Sequence, residues 1–62
     1  MDALSVVVQQ TDDKVSDLKN FLADGRCESF DEYQKVCGEI RGLLIARGYA
    51  LDLKQNLESS DD

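Results

Sequence analysis

Apolar positions recur along the first third of the chain at alternating intervals of four and three residues. The series consists of Leu4, Val8, Thr11, Val15, Leu18 and Leu22. This spacing is typical of the a and d positions of a packed helical seam, and it predicts a first helix over about residues 3–24. Three consecutive β-branched residues, Val6 to Val8, leave a short strand open as an alternative, with a shorter helix capped near Thr11. The long helix is favoured because a lone strand would have no partner within so short a chain.

A turn separates this helix from a second one. Asp24 and Gly25 suit a helix C-terminus in which glycine adopts the left-handed conformation. Ser29 and Glu32 have capping-box spacing, in which the serine hydroxyl accepts a hydrogen bond from the amide of Glu32. Because residues 25–29 form only a short connection, the two helices should lie side by side and antiparallel. The sequence therefore predicts an all-α fold, an antiparallel two-helix hairpin that forms a single domain over residues 1–57.

The second helix, predicted over about residues 30–57, is apolar on two faces. One face should pack against helix 1, although Arg47 occupies the same seam. The predicted hairpin core is Leu4, Val8, Val15, Leu18, Leu22, Tyr33, Ile40 and Leu44. A different side of the helix bears Ile45, Tyr49, Leu53 and Leu57 at intervals of four. One short helix cannot cover both faces, so we expect oligomerisation or a partner to complete the hairpin.

Small residues accompany this second apolar face. Gly38 and Gly42 lie one helical turn apart, and Ala46 follows at the same spacing. Since glycine inside a helix costs about 1 kcal/mol relative to alanine, the pair indicates close packing of some kind. The predicted partner or oligomer interface is Gly38, Gly42, Ile45, Ala46, Tyr49, Leu53 and Leu57. Two alternatives stay open: the glycines could make room for a large side chain of helix 1, such as Phe21, or they could have no packing role.

Composition and charge narrow the possible partners. The 62-residue chain has a net charge of −6, and its seven basic residues are scattered, which argues against direct nucleic-acid binding. No apolar run approaches the roughly 18–20 residues of a membrane span. The N-terminus lacks a secretory signal, so Cys27 and Cys37 are expected to be reduced thiols in a host cytoplasm or virion. The acidic tail over residues 58–62 is expected to be disordered.

Candidate chemistry is sparse. The chain has no histidine to activate a nucleophile, and its carboxylates have no cleft that would separate their pKa values. The two cysteines lack zinc-ligand spacing, and no glycine-rich phosphate loop is present. We therefore expect a non-enzymatic protein without cofactor, metal or small-molecule substrate.

One segment resembles a known group of proteins. In residues 33–43, YQKVCGEIRGL, an aromatic residue is followed by an aliphatic one and by two glycines around an isoleucine. Together with the preceding Ser-Phe-Asp-Glu turn, this is similar to small helical-hairpin proteins of tailed bacteriophages, encoded near head and packaging genes. The similarity covers about residues 22–44. It implies a phage virion or assembly component, and it brings no catalytic residues.

These observations favour a protein–protein interaction module. We expect it to be an accessory protein of a phage virion or of virion assembly, which docks on a larger structural protein or on another copy of itself. The alternative is a small phage regulator that binds a host protein, and its acidic surface offers a mimic of nucleic acid as one form of this alternative. The hairpin also resembles Rop, which dimerises into a four-helix bundle and regulates RNA. That resemblance concerns assembly only, because an RNA-binding face needs clustered basic residues.

Overall fold

The computed structural model describes residues 2–59, which form two α-helices packed against each other. Helix α1 spans Ala3–Ala23 and helix α2 spans Phe30–Ser59. The all-α hairpin is thereby confirmed, and Val6 to Val8 are helical, so the alternative of a strand there is wrong. Helix α2 includes Glu58 and Ser59, two residues that we had placed in the acidic tail. The remaining tail positions, 60–62, lie outside the described residues.

Both helices begin at side-chain caps. The Asp2 carboxylate accepts a hydrogen bond of 2.7 Å from the amide of Ser5 at the start of α1. At the start of α2, the Ser29 hydroxyl accepts a bond of 3.1 Å from the amide of Glu32, as the capping-box spacing predicts. Each cap supplies an acceptor for an amide that would otherwise lack a partner in the first helical turn. The caps therefore set where the two helices begin.

The end of α1 is a Schellman motif. Gly25 has a φ of 72°, in the left-handed region that glycine adopts without steric cost. Its amide donates to the carbonyl of Leu22 at 3.1 Å, and the amide of Arg26 donates to the carbonyl of Phe21 at 3.3 Å. These two bonds define the motif. The Arg26 guanidinium also lies 5.6 Å from the centre of the Phe21 ring, which closes the turn on one side.

The contact line of α1 follows the alternating pattern read from the sequence. Val15 at its centre is only 6% exposed, and it is the one buried hydrophobic residue of the described region. The other members of the line are partly buried: Leu4, Val8, Thr11, Leu18 and Leu22. The seam of α1 thus lies along α2 over the full length of the shorter helix.

The contact line of α2 differs from the prediction. It follows half-buried residues that are again spaced by four and three: Glu32, Val36, Ile40, Leu43, Arg47, Ala50 and Lys54. Tyr33 and Leu44, which we had placed in the core, are 47% and 46% exposed. At about 100° per residue they lie to one side of this line, and a single neighbouring helix covers only a narrow strip. Placing Tyr33 and Leu44 in the core is therefore wrong.

The hairpin forms a single thin layer. Its principal extents are 51, 18 and 12 Å, and the smallest of these is about the diameter of one helix. Within residues 2–59 nothing covers either broad side of the layer, so most large apolar side chains keep part of their surface in water. Packing of α1 on α2 therefore leaves much of the apolar surface of α2 unused.

Candidate interaction surface

The predicted interface residues share one face of α2, which we call the outer face. It consists of Gly38, Gly42, Ile45, Ala46, Tyr49, Leu53 and Leu57, and all seven are exposed. At about 100° per residue they fall within one third of the helix circumference, centred well away from the line that packs on α1. Tyr49 is 71% exposed, Ile45 51% and Leu53 49%. The structure thus brings the predicted residues together on one exposed surface, turned away from the line that packs on α1.

The glycines of the outer face are open to solvent. A Cβ atom added at Gly38 or at Gly42 would meet no other atom within 4 Å. The idea that these glycines make room for a side chain of helix 1, such as Phe21, is therefore wrong. They form a shallow depression on the outer face, next to the large side chains that follow in the sequence.

The middle of α2 is nearly free of charge. Among residues 42–51 only Arg47 is charged, and it turns away from the outer face towards α1. Its Nε donates to Oδ1 of Asp12 at 2.5 Å, and the two side chains are 36% and 42% exposed. The sequence identified Arg47 as a seam residue, but it did not identify Asp12 as the partner in its ion pair. An acidic residue beside the seam of α1 was the available signal.

A second group of exposed apolar side chains lies on another flank of α2. It comprises Phe30, Tyr33, Leu44 and Leu51, of which Phe30 is 69% exposed and Leu51 38%. The rings of Phe30 and Tyr33 stack with centroids 6.2 Å apart. Hydrogen bonding with the side chain of Cys37 raises the pKa of Tyr33. Part of this flank therefore makes ring-stacking and hydrogen-bond contacts within the hairpin, whereas the outer face is exposed to solvent.

The two cysteines are free thiols, each partly buried. Loss of hydration raises the pKa of Cys27, and the nearby carboxylate of Glu32 raises it further. A raised pKa reduces the thiolate fraction at neutral pH, and the thiolate is the reactive form. This environment is the opposite of the one that activates a nucleophilic cysteine.

Acidic and thiol side chains do not gather into a metal site within residues 2–59. Neither of the two described helices is long and apolar enough to cross a membrane. Compared with protein-family models, with curated proteins and with solved structures, the chain shows no match. The functional interpretation therefore depends on the residues of the hairpin itself.

Proposed function

We propose that this chain is a protein–protein interaction module that docks through the outer face of α2. The supporting observation is the distribution of apolar side chains. Eight of the ten exposed large hydrophobic residues belong to α2, whereas Val15 of α1 is the single buried one in the described region. Isolated exposed apolar residues are common on protein surfaces, but an aligned, contiguous group marks an interaction site.

The outer face has the composition of a binding surface. Tyr49, its most exposed large residue, belongs to a residue type enriched among the side chains that dominate binding energy. Fully burying one leucine or isoleucine side chain contributes about 1.5–3 kcal/mol. Ile45 and Leu53 flank Tyr49, so three neighbouring side chains would be desolvated together. Ile45 and Leu53 are about half exposed, so about half of that contribution remains available from each on association, and it counteracts the ordering and desolvation costs.

The finer role that we propose is an accessory protein of a bacteriophage virion or of its assembly. Its support is the resemblance of residues 22–44 to small hairpin proteins of tailed phages. Quantitative mass spectrometry of purified particles and of infected cells tests this role. A fixed copy number per particle is expected, whereas a chain made early in infection and missing from particles would indicate the regulatory alternative.

Site-specific photocrosslinking tests the docking surface without knowledge of the partner. A photoreactive phenylalanine analogue replaces Tyr49 in one variant and Asp17, an exposed residue of α1, in a matched control. With the chain at its native level in cells, the analogue at position 49 should yield one discrete product and the analogue at position 17 none. Equal products from both positions, or no product from position 49, would show that the outer face is not the docking surface.

A further inference from the structure

We propose that the occupant of the outer face is a second copy of this chain, with the two α2 helices antiparallel across a two-fold axis between residues 45 and 46. This proposal rests on the proposed function and names its partner. A two-fold interface uses the same surface on both subunits, so that surface must be complementary to itself. The order of residues along the outer face meets this condition.

Large and small residues alternate in the order that self-pairing requires. With the axis between residues 45 and 46, Tyr49 of one copy lies opposite Gly42 of the other. Leu53 lies at the level of Gly38 in the same way, and the two copies of Ile45 meet next to the axis, on the edge that also carries Arg41. Symmetry repeats each pair on the other side of the axis. Tyr49 and Leu53 of each copy thus meet a glycine of the other, and Ile45 packs against its own counterpart.

The glycines provide the space that these pairs need. The surroundings of Gly38 and Gly42 are empty where a Cβ atom would lie, so no atom of the hairpin blocks an incoming ring or isobutyl group. Interfaces reach the packing density of protein interiors when large residues face small ones. A flat face with large side chains at both ends would hold the helices apart at the centre, and the depression at the glycines prevents this.

Charges at the edge of the face are also complementary. Arg41 and Asp52 flank the same edge of the outer face, and neither takes part in the ion pairs of the described residues. Within one chain they lie 11 positions apart, about 16 Å along the helix, which is too far for a contact. In the proposed arrangement Arg41 approaches Asp52 of the second copy, and symmetry creates this pair twice. The like charges are kept apart because Glu39 projects near the opposite edge.

The amount of exposed surface fits a dimer. The chain has an accessible surface of 4780 Å², whereas a compact monomer of 6.9 kDa exposes about 4,000 Å². The excess, roughly 800 Å², follows from the thin shape of the hairpin, and it is similar in size to the area that each partner buries in a standard interface. Two hairpins joined through α2 would form two layers of helices, so that the outer face becomes an interior.

A charge swap tests this register directly. Arg41→Asp and Asp52→Arg each place like charges opposite each other, and each should weaken dimerisation about tenfold in sedimentation equilibrium. The double variant Arg41→Asp/Asp52→Arg should restore it, since only a contact between copies can pair these positions. Lys19→Asp, a matching charge change on α1, should leave dimerisation unchanged. Circular dichroism checks that each variant keeps its helix content.

Each other outcome overturns the proposal in a distinct way. A wild-type chain that stays monomeric at tens of micromolar excludes the second copy. A dimer that neither single variant weakens uses another surface, and a double variant no better than the singles excludes this register. If position 49 crosslinks a different protein while the chain is monomeric, the proposed function stands and the second copy is excluded. If position 49 crosslinks nothing, the proposed function fails as well.

Discussion

The inner and outer faces of α2 have opposite distributions of apolar residues along the helix. The inner face begins with Val36, Ile40 and Leu43 and continues with Arg47, Ala50 and Lys54. The outer face begins with Gly38 and Gly42 and continues with Ile45, Tyr49 and Leu53. Of these two faces, the inner one therefore carries the large apolar side chains in the half of α2 near the turn. Towards the far end of the hairpin, they point into solvent.

This difference indicates that the two halves of α2 have different roles. The first half of α2 closes the hairpin, because its apolar side chains lie along the seam of α1 between the turn and Val15, the best buried residue. In the second half, α1 is met by Arg47 and Lys54, while the large apolar residues remain available to another surface. A helix that served only to close the hairpin would keep its apolar residues on one side throughout.

The largest expected effect comes from truncating one isoleucine on each face of α2. Ile40→Ala removes a half-buried side chain and should cost about 2 kcal/mol of unfolding free energy, near the lower end for buried isoleucine. Ile45→Ala truncates a side chain that is 51% exposed and should cost less than about 0.5 kcal/mol in dilute solution. Denaturant melts at low concentration measure both. Equal losses would mean that the two faces do not differ in the isolated hairpin.

The glycines should show opposite effects on folding and on association. In Gly38→Ala/Gly42→Ala the new Cβ atoms meet nothing, so each should stabilise the isolated hairpin by up to about 1 kcal/mol. The same atoms should weaken dimerisation, because overpacking a close contact costs about 1–3 kcal/mol. Gly48→Ala is the control, since Gly48 is equally open but lies outside the outer face. If the double variant assembles as well as Gly48→Ala, Gly38 and Gly42 are not part of the interface.

The cap at Ser29 should stabilise α2 as a whole, so its loss should affect the inner and outer faces equally. Ser29→Ala removes the acceptor for the Glu32 amide and should cost about 1 kcal/mol, whereas Asp17→Ala on the surface of α1 should change stability by less than about 0.5 kcal/mol. Denaturant melts provide the comparison. Similar losses for the two variants would show that the cap does not determine where α2 begins.

Local patterns predicted most of the fold. The seam of α1, the turn at Gly25 and the cap at Ser29 each depend on residues within a few positions of one another. Their chemistry is therefore readable from the sequence alone. The seven outer-face residues could be grouped for the same reason, since helical periodicity places them together once the helix is known. What they bind is not encoded in that periodicity.

The errors arose where the position of one helix relative to the other decides the outcome. Tyr33 and Leu44 are apolar and lie near the inner face, but the single neighbouring helix contacts a line that passes beside them. The pair between Asp12 and Arg47 joins residues 35 positions apart and depends on how the helices align. The hydrophobic pattern of one helix does not determine how that helix is rotated about its axis or how it is aligned along its neighbour. These features therefore required the structure.

The smallest expected effect lies at the open end, where α1 begins. The amide of Ser5 donates to the Asp2 carboxylate, and this bond lowers the pKa of Asp2 below its ordinary value of 3.8. Because the folded pKa is the lower one, the contribution of this cap is complete above the unfolded pKa and is lost as the pH falls through the folded pKa.

The amide chemical shift of Ser5 should therefore titrate with a midpoint below pH 3.8. Asp2→Asn is the matched control, because asparagine caps a helix equally well but does not titrate. The titration should be missing in that variant. A midpoint at or above the ordinary value would show that the carboxylate does not cap α1 in solution.

The most direct test of the central claim, that the outer face of α2 docks on a second copy, is the thermal midpoint measured over roughly a hundredfold range of protein concentration. Association of the folded state makes this midpoint rise with concentration. We predict such a rise for the wild-type chain and its loss in Tyr49→Asp/Leu53→Asp, whose changes lie entirely on the outer face. A wild-type midpoint that does not change with concentration, or one that rises equally in both proteins, would contradict the account.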